Sequence, residues 1–344
     1  MSNSTVSRGT NPAAEIAVAD ASGYNSWPMC QTMGKKIVCA WSRGMAHDIF
    51  EPGRAVFARV SPDGGQTWEE KTLVCNTPGR GDVTVGKGLD EEGNMFLWVR
   101  HSGADGFRHR LYRSCDGKRF VCIAEPELPL DLVQITDIFH LPGVGLTALF
   151  FGGTYGRDDS HYWGKLTSTD NGATWRATVI EEHLPRSQWP TEPSAVSLGE
   201  GLILAVARTE VTEASCEKAQ FQLTSTDGGR SWCKAKTNIT DVMISTPSLI
   251  YDRDTDLVSC YYYHRGKGLL KRRFADARKV FGAPLDWSEP ETVAFGSCEV
   301  CEAGNVNAVS SPMGHVLSWY SGRMPSTAVY VKTVAPPRRH QGTI

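Results

Sequence analysis

Basic side chains recur at one kind of position along this chain, the far end of short β-prone runs. Arg43 lies just past the run Lys36–Trp41, Arg100 and His101 end Asn94–His101, and Arg208 lies in Leu202–Thr209. His264 and Arg265 end Asp256–Arg265, and Arg323 follows His315–Gly322. A second set opens the run that comes before each of these: Ser26, Arg80 with Asp82, Asp137, Glu192, Thr246, and Glu302 with Asn305. Several guanidinium groups brought around one point make a receptor for a carboxylate or a phosphate, because each offers a planar fork of donors. Scattered surface charge has no reason to repeat at the end of the same run in five of six units.

The elements that must gather these residues are announced by a repeated box. Ser168-Thr169-Asp170-Asn171-Gly172-Ala173-Thr174-Trp175 has near copies at Ser61–Trp68 and Ser225–Trp232, and a shortened copy at Ser114–Phe120. The box aspartates at 63, 116, 170 and 227 recur at spacings of 53, 54 and 57 residues, and a weak echo, Phe274-Ala275-Asp276, follows after 49 more. A fixed period of this size marks an array of one supersecondary unit. Asp and Gly supply turn geometry and the terminal Trp supplies a ring to pack under a neighbour, so the box itself reads as structure.

Three strand-like runs, rich in β-branched and aromatic residues, come before each box. The expected fold is all-β: a six-bladed β-propeller of four-stranded antiparallel blades over residues 15–337, with a flexible segment at 1–14 and a tail at 338–344. The sixth unit lacks a fourth strand. The unassigned run Glu15–Asp20 is expected to fill that edge and close the ring, because an open blade edge is a liability. Side chains at the starts of first strands and the ends of second strands then converge on one mouth.

Composition narrows the function. The chain has 344 residues, a net charge of −2 and a pI near 6.5, which leaves no basic footprint for nucleic acid. Neither a membrane-length apolar run nor a signal-peptide pattern is present, so the expectation is a cytoplasmic protein or a virion component without membrane insertion, compatible with a homo-oligomer. Several of the ten cysteines sit in apolar runs, as reduced thiols do. Cys298-Glu299-Val300-Cys301 has no second pair and no histidine to complete a zinc site, so neither metal nor cofactor is expected. Trp41, Trp98, Trp163 and Trp319 lie within strands and are expected to pack between blades rather than against a sugar.

The boxes, with Thr191-Glu192-Pro193-Ser194 followed by Leu202–Ala207 and Arg208, resemble the sialidase (neuraminidase) superfamily from about residue 24 to 335. The resemblance implies that Glu192 takes the place of the glutamate that polarises the nucleophile. It implies that Arg208 belongs to a triad gripping the sialic acid carboxylate. Tyr261-Tyr262-Tyr263-His264-Arg265 makes Arg265 a further triad arginine, and Ala40-Trp41-Ser42-Arg43 resembles a segment placing an arginine near the sugar hydroxyls. Asp48 matches the acid/base aspartate and Asp82 a further binding aspartate. Arg80, His101, Asp137, His264, Glu302, Asn305, Tyr320 and Arg323 join the expected substrate-binding set.

Two elements of that pattern are missing. Where the family opens its first blade with an arginine, this chain reads Asn25-Ser26-Trp27-Pro28, and where the nucleophilic tyrosine stands it reads Ala303-Gly304-Asn305-Val306-Asn307. Tyr320, one strand later, reaches the mouth only if the register differs. The retained set, Glu192 with Arg208 and Arg265, is similar to that of phage endosialidases. Three readings stay open: a glycoside hydrolase for sialic acid or a related acidic sugar working without the tyrosine, a propeller that binds acidic glycans without cutting them, and a sialidase-like enzyme for another sugar or another cleavage, such as a lyase.

Overall fold

The computed structural model describes residues 15–157, 159–210 and 218–338. The segment 1–14, expected to be flexible, lies outside them, as do residues 339–344 of the expected tail 338–344. Twenty-five strands follow one another in the described chain: β1 (Ile16–Ala19), β2 (Tyr24–Met33), β3 (Lys36–Gly44), β4 (Ala55–Ser61), β5 (Thr72–Cys75), β6 (Gly81–Leu89), β7 (Met95–Gly103), β8 (Gly106–Ser114) and β9 (Val121–Ala124). They continue with β10 (Leu132–Ile135), β11 (Phe139–Leu141), β12 (Gly145–Gly152), β13 (His161–Ser168), β14 (Arg176–Leu184), β15 (Pro190–Gly199), β16 (Leu202–Thr209), β17 (Phe221–Ser225) and β18 (Cys233–Lys236). The last are β19 (Ser248–Asp252), β20 (Leu257–His264), β21 (Leu269–Asp276), β22 (Glu291–Phe295), β23 (Ala303–Ser311), β24 (Gly314–Arg323) and β25 (Ser326–Val334).

The architecture is a β-propeller, but its hydrogen bonding does not divide into six separate sheets. Four blades stand alone: β6–β9, β10–β14, β15–β18 and β19–β22. The other eight strands form one sheet in which β23-β24-β25 runs on into β2-β3-β4-β5, with β1 paired antiparallel to β25. The physical reason is a single seam. Tyr24 and Thr327 form a parallel bridge, Asn25 Nδ2 donates to Thr327 O at 2.7 Å, and Thr327 Oγ1 donates back to Asn25 O at 2.6 Å.

The four boxes fold alike. In the second complete copy, Ser168 Oγ donates to Asp170 Oδ1 (2.8 Å) and accepts from Gly172 N (2.9 Å). Asp170 also accepts from Thr174 N (2.9 Å) and Thr174 Oγ1 (2.6 Å), and Trp175 Nε1 donates to Gly172 O (3.0 Å). Asp63 and Asp227 make the same bonds with Thr67 and Ser231. Each box then leans on the blade before it. The Trp175 ring meets Trp98 edge-on at 5.1 Å, and Trp232 meets Trp163 at 5.5 Å. Gly172 sits at φ 89°, where a Cβ would come 2.9 Å from Phe96 Cζ on β7. The weak echo does not form a box: Asp276 instead caps the short helix α1 (Ala277–Gly282) by accepting from Lys279 N at 3.0 Å.

The inner strands are stitched to one another by side chains that replace the hydrogen bonds a continuous sheet would supply. Ser194 Oγ accepts from Leu249 N, Ser248 Oγ from Ala308 N, and Asn307 Oδ1 from Cys30 N, all at 2.8–2.9 Å. Ser42 Oγ accepts from Thr84 N at 3.1 Å, and Ile138 N donates to Lys87 O at 2.7 Å. Strands between two neighbours are apolar on both faces, so every residue of β7 is buried. Trp41, Trp98, Trp163 and Trp319 are all buried, as expected of residues packed between blades. The nine described cysteines are free thiols, and no group of metal-binding side chains forms among the described residues. No helix is long and apolar enough to cross a membrane.

Candidate active site

Three inner strands break their pairing near the start, and the residue at the break turns toward the others. Trp27 on β2 sits at φ 50°, in a register shift between Ser26 and Met29. Glu192 on β15 and Asn305 on β23 both sit at φ 48°, in shifts between Thr191 and Ser194 and between Gly304 and Asn307. A bulge adds one residue to its strand and re-aims that side chain. Ile244, just ahead of β19, is at φ 43°, a position that a β-branched residue rarely adopts. Strained backbone of this kind costs on the order of 1–3 kcal/mol per residue and persists only where the surrounding structure over-determines it.

The side chains from these positions form one hydrogen-bonded chain. Thr191 Oγ1 donates to Glu210 Oε1 (2.8 Å), and Arg208 Nη2 lies 3.2 Å from that oxygen. Arg208 Nη1 donates to Glu192 Oε2 (3.1 Å), and Thr246 Oγ1 donates to the same oxygen (2.7 Å). Asn305 Nδ2 donates to Thr246 Oγ1 (3.0 Å), and Arg265 Nη2 donates to Asn305 Oδ1 (3.3 Å) while its Nε holds Ala303 O (2.8 Å). Arg265 is buried in the 3-10 turn Arg265–Lys267 that follows β20. Burial pushes the Glu192 carboxyl up, but Arg208, the Thr246 hydroxyl and Arg265 outweigh it and leave it below its ordinary range. Burial likewise works against the Arg208 charge, and Glu192 and Glu210 more than restore it. The result is a charged base between two guanidinium groups.

Four residues not singled out in the sequence face this chain. Arg54, fully buried, lies 5.0 Å from the Trp27 ring centroid and 5.6 Å from that of Tyr24, and its Nη1 donates to Ser26 Oγ at 3.4 Å. A guanidinium thus reaches the Asn25–Pro28 stretch from one strand further on. The Tyr24 hydroxyl bonds His47 Nδ1 and Cys301 O, and its ring meets Tyr320 edge-on at 6.0 Å. Burial, with Arg265 and Arg54 nearby, pulls His47 down to about 4, so it is neutral at pH 7. Tyr155, on the turn after β12, is 45% exposed and its ring lies 5.0 Å from that of Trp189. Burial of its hydroxyl end and the Glu210 carboxylate push that hydroxyl up, against Arg208. Arg100, named in the sequence beside His101, is also near: burial pulls it down to about 10, and Glu192 is among the charges that act on it. Arg54 and Tyr155 sit in connections whose lengths differ between units, so no positional signal marked them. His47 adjoins Asp48, and the Tyr24–Trp27 spacing on β2 was the available clue.

Other expected site residues are engaged elsewhere. Arg43 turns outward to Ser22, bonding its carbonyl and, at 3.2 Å, its hydroxyl. Asp48 is exposed and its Oδ1 accepts from Phe50 N at 2.8 Å, which caps its own loop. Arg80 pairs with exposed Asp105 at 2.6 Å. Asp82 is fully buried, accepting from Thr77 N at 2.8 Å and contacting His101 Nδ1 at 2.6 Å, so this pair serves the interior. Asp137 pairs with Lys87 at 2.9 Å and accepts from Ser194 Oγ deeper along the axis. Glu302 holds Ser297 Oγ (3.0 Å) and Met324 N (2.8 Å), and Arg323 is exposed on the β24–β25 turn. His264 is buried, whereas Tyr320 is not engaged elsewhere: it is buried with its ring 6.0 Å from that of Tyr24, Arg265 and Glu192 are among the charges that act on its hydroxyl, and that hydroxyl lacks a hydrogen-bond partner among the described residues. Position along a strand brought Glu192, Arg208, Arg265 and Asn305 into one bonded chain but not the other expected residues. It did not fix which side of the strand each side chain takes.

Solved structures share this arrangement of strands. A protein of unknown function from Dyadobacter fermentans aligns with TM-score 0.69 and 17% identity over 93% of this chain and 99% of its own. Trypanosoma rangeli sialidase in complex with sialic acid aligns at 0.66 and 10% identity over 94% of this chain, which spans 59% of that enzyme. NanB in complex with Optactamide aligns at 0.66 and 11% identity, over 94% of this chain and 70% of its own. Identities this low speak to the sialidase-like fold alone. No family model matches the sequence, and no curated protein matches it.

Proposed function

We propose that this chain is a sialidase-like glycoside hydrolase for sialic acid or a related acidic sugar, working without a tyrosine nucleophile. The observation that carries the reading is the unbroken chain of bonds from Glu210 through Arg208, Glu192, Thr246 and Asn305 to Arg265. In this reading Arg208 and Arg265 receive the sugar carboxylate, and buried Arg54 adds positive potential where the first arginine is missing. Glu192, held ionised, takes the proton from a water that attacks the anomeric carbon. Asn305 occupies the place of the nucleophile and positions Thr246. Asp48 is the group that would protonate the leaving oxygen, after its loop releases the Phe50 N–H. For the architecture, the reading takes the eight-stranded sheet as two further blades sharing a seam. The ring then has six inner strands, a single domain over 15–337, and β1 as the closing strand.

A second reading, an acidic-glycan-binding propeller that does not cut, is favoured by one observation: the Asp48 carboxylate is committed to its own loop. A fluorogenic sialoside and a natural sialylated glycan, each with wild-type chain and with Glu192→Gln, separate the two. Turnover that disappears in the variant while sugar binding persists supports the hydrolase. Binding with no product at any pH supports the second reading, and an unsaturated product absorbing in the ultraviolet would make the protein a lyase.

A further inference from the structure

One groove lies away from the mouth of the propeller. It lies at the circumference, between the blade β10–β14 and the box and β18 of the blade β15–β18, with a volume of about 680 Å³. Its floor is the flank of the Trp232 ring where it meets Trp163. Its walls carry four cations, Lys165, Arg176, Arg230 and Lys234, against one carboxylate, Glu181. Glu181 already accepts from Lys234 Nζ (2.6 Å) and Trp163 Nε1 (2.6 Å). The other three cations make no ion pair among the described residues. Arg176 and Arg230 are exposed and Lys165 is half-buried, so their charges are open to an incoming anion.

The position of Lys165 makes the case specific. Three residues before the box serine, the other box-bearing units have Ala58, Leu111 and Gln222, all buried and uncharged. Lys165 stands in that slot, with its Nζ 3.3 Å from where a Cβ on Gly229 would be. The pairing Thr167↔Arg176 puts Arg176 on the same face of the sheet, one step diagonally from Lys165. Burial and the neighbouring Arg230 pull the Lys165 ammonium down, with Asp227 acting against them.

We propose that this groove is a second binding site, which takes the carboxylates of an acidic oligosaccharide strand. The Trp232 flank offers an apolar surface to a sugar ring, and Lys165, Arg176 and Arg230 hold the acid groups. Its choice of a glycan rests on the reading of the central site. A chain held at both places would have one residue at the mouth and a longer stretch along the outer wall, which raises the effective concentration of substrate at the mouth.

The test is calorimetric titration of the full chain with monomeric sialic acid, an oligosialic acid, a heparin-derived oligosaccharide and a single-stranded DNA oligomer. The double variant Lys165→Gln, Arg230→Gln removes exposed or half-buried charge and keeps the fold. The expected result is unchanged affinity for the monosaccharide and about a tenfold loss for the oligosialic acid, the scale of one charge-assisted bond. Oligosialic acid bound as tightly by the double variant as by the wild type would overturn the proposal. So would tighter groove-dependent binding of heparin or DNA, since either would reassign the ligand. A central-site variant, Arg265→Lys, that loses the monosaccharide but keeps the groove-dependent part of oligomer binding supports the groove independently. Failure of the wild type to bind the monosaccharide, with groove-dependent oligomer binding intact, would count against the central reading alone.

Discussion

Glu192 and Asn305 come from opposite ends of the second half of the chain, yet they share a backbone φ of 48° and are joined through one hydroxyl, that of Thr246. Each sits on the bulge of an inner strand. The carboxylate that would act as base is therefore oriented by a neighbouring blade, and that blade by the next.

Replacing Glu192 by Gln keeps the acceptor for Thr246 and the fold, and removes the base. Turnover of a fluorogenic sialoside is expected to fall by about 10²–10⁴-fold, with affinity for free sialic acid changed only a few-fold. Retention of both would remove Glu192 from the chemistry.

Arg208 neutralises two carboxylates, so Arg208→Ala leaves Glu192 and Glu210 crowded and buried without their cation. Destabilisation of about 3–5 kcal/mol is expected in urea unfolding. Arg208→Lys keeps the charge but loses the fork. It is expected to retain most of the stability while weakening carboxylate binding by about tenfold or more. Equal stability of the two variants would refute this account of the network.

Depressed values at Glu192 and His47 contribute to the acid side of the stability curve, together with His109, which burial pulls down to about 3. His47 lies at about 4 against an ordinary 6.5, and Glu192 lies below its ordinary 4.5. For both, the unfolded chain binds protons that the folded chain refuses, so stability is complete above the unfolded values and is lost as pH falls toward the folded ones. Urea unfolding is expected to show a decline from about pH 6.5 to 4 that His47→Gln makes shallower, with His109 supplying a remaining slope. An unchanged slope in that variant would mean that His47 is not the buried neutral group.

The boxes offer a stability test that does not touch the site. Gly143 and Gly172 both have positive φ, but a Cβ at Gly143 meets nothing within 4 Å, whereas one at Gly172 meets Phe96 and Leu111 of the preceding blade. Gly143→Ala is expected to cost about 1 kcal/mol, from the backbone alone. Gly172→Ala is expected to cost distinctly more, because the overlap with β7 adds to the same strain. Equal losses in urea unfolding would argue against the box as a contact between blades.

The ring of strands was legible because its signals are local: a serine, an aspartate and a tryptophan at fixed offsets dictate a turn whatever lies around it. Strand order within a unit followed from the same period, and the missing fourth strand of the last unit pointed to the β1–β25 pairing, but six separate blades did not form: four stand alone and the other strands share one sheet. The seam was not legible, because the Tyr24–Thr327 bridge joins residues three hundred positions apart and leaves no mark on either neighbourhood. At the site, Glu192, Arg208, Arg265 and Asn305 could be read from their places at strand ends. Asp82 and Asp137 occupy similar places, yet Asp82 points into packed interior against His101, and Asp137 is half-buried and taken up by Lys87. Arg54 escaped notice because its role depends on the rings of Tyr24 and Trp27 above it.

The seam has a bearing on how the protein comes to be made. β1 and β2 are synthesised among the first strands, but their partner β25 leaves the ribosome after all the others. For most of translation these early strands, with Val18 and Tyr24 fully buried in the finished protein, carry apolar surface with nothing to cover it. The intervening blades can fold as they emerge, each on the one before. Among the described strands, β1 finds its only sheet partner in β25, so closing this sheet is a long-range step that cannot precede β25.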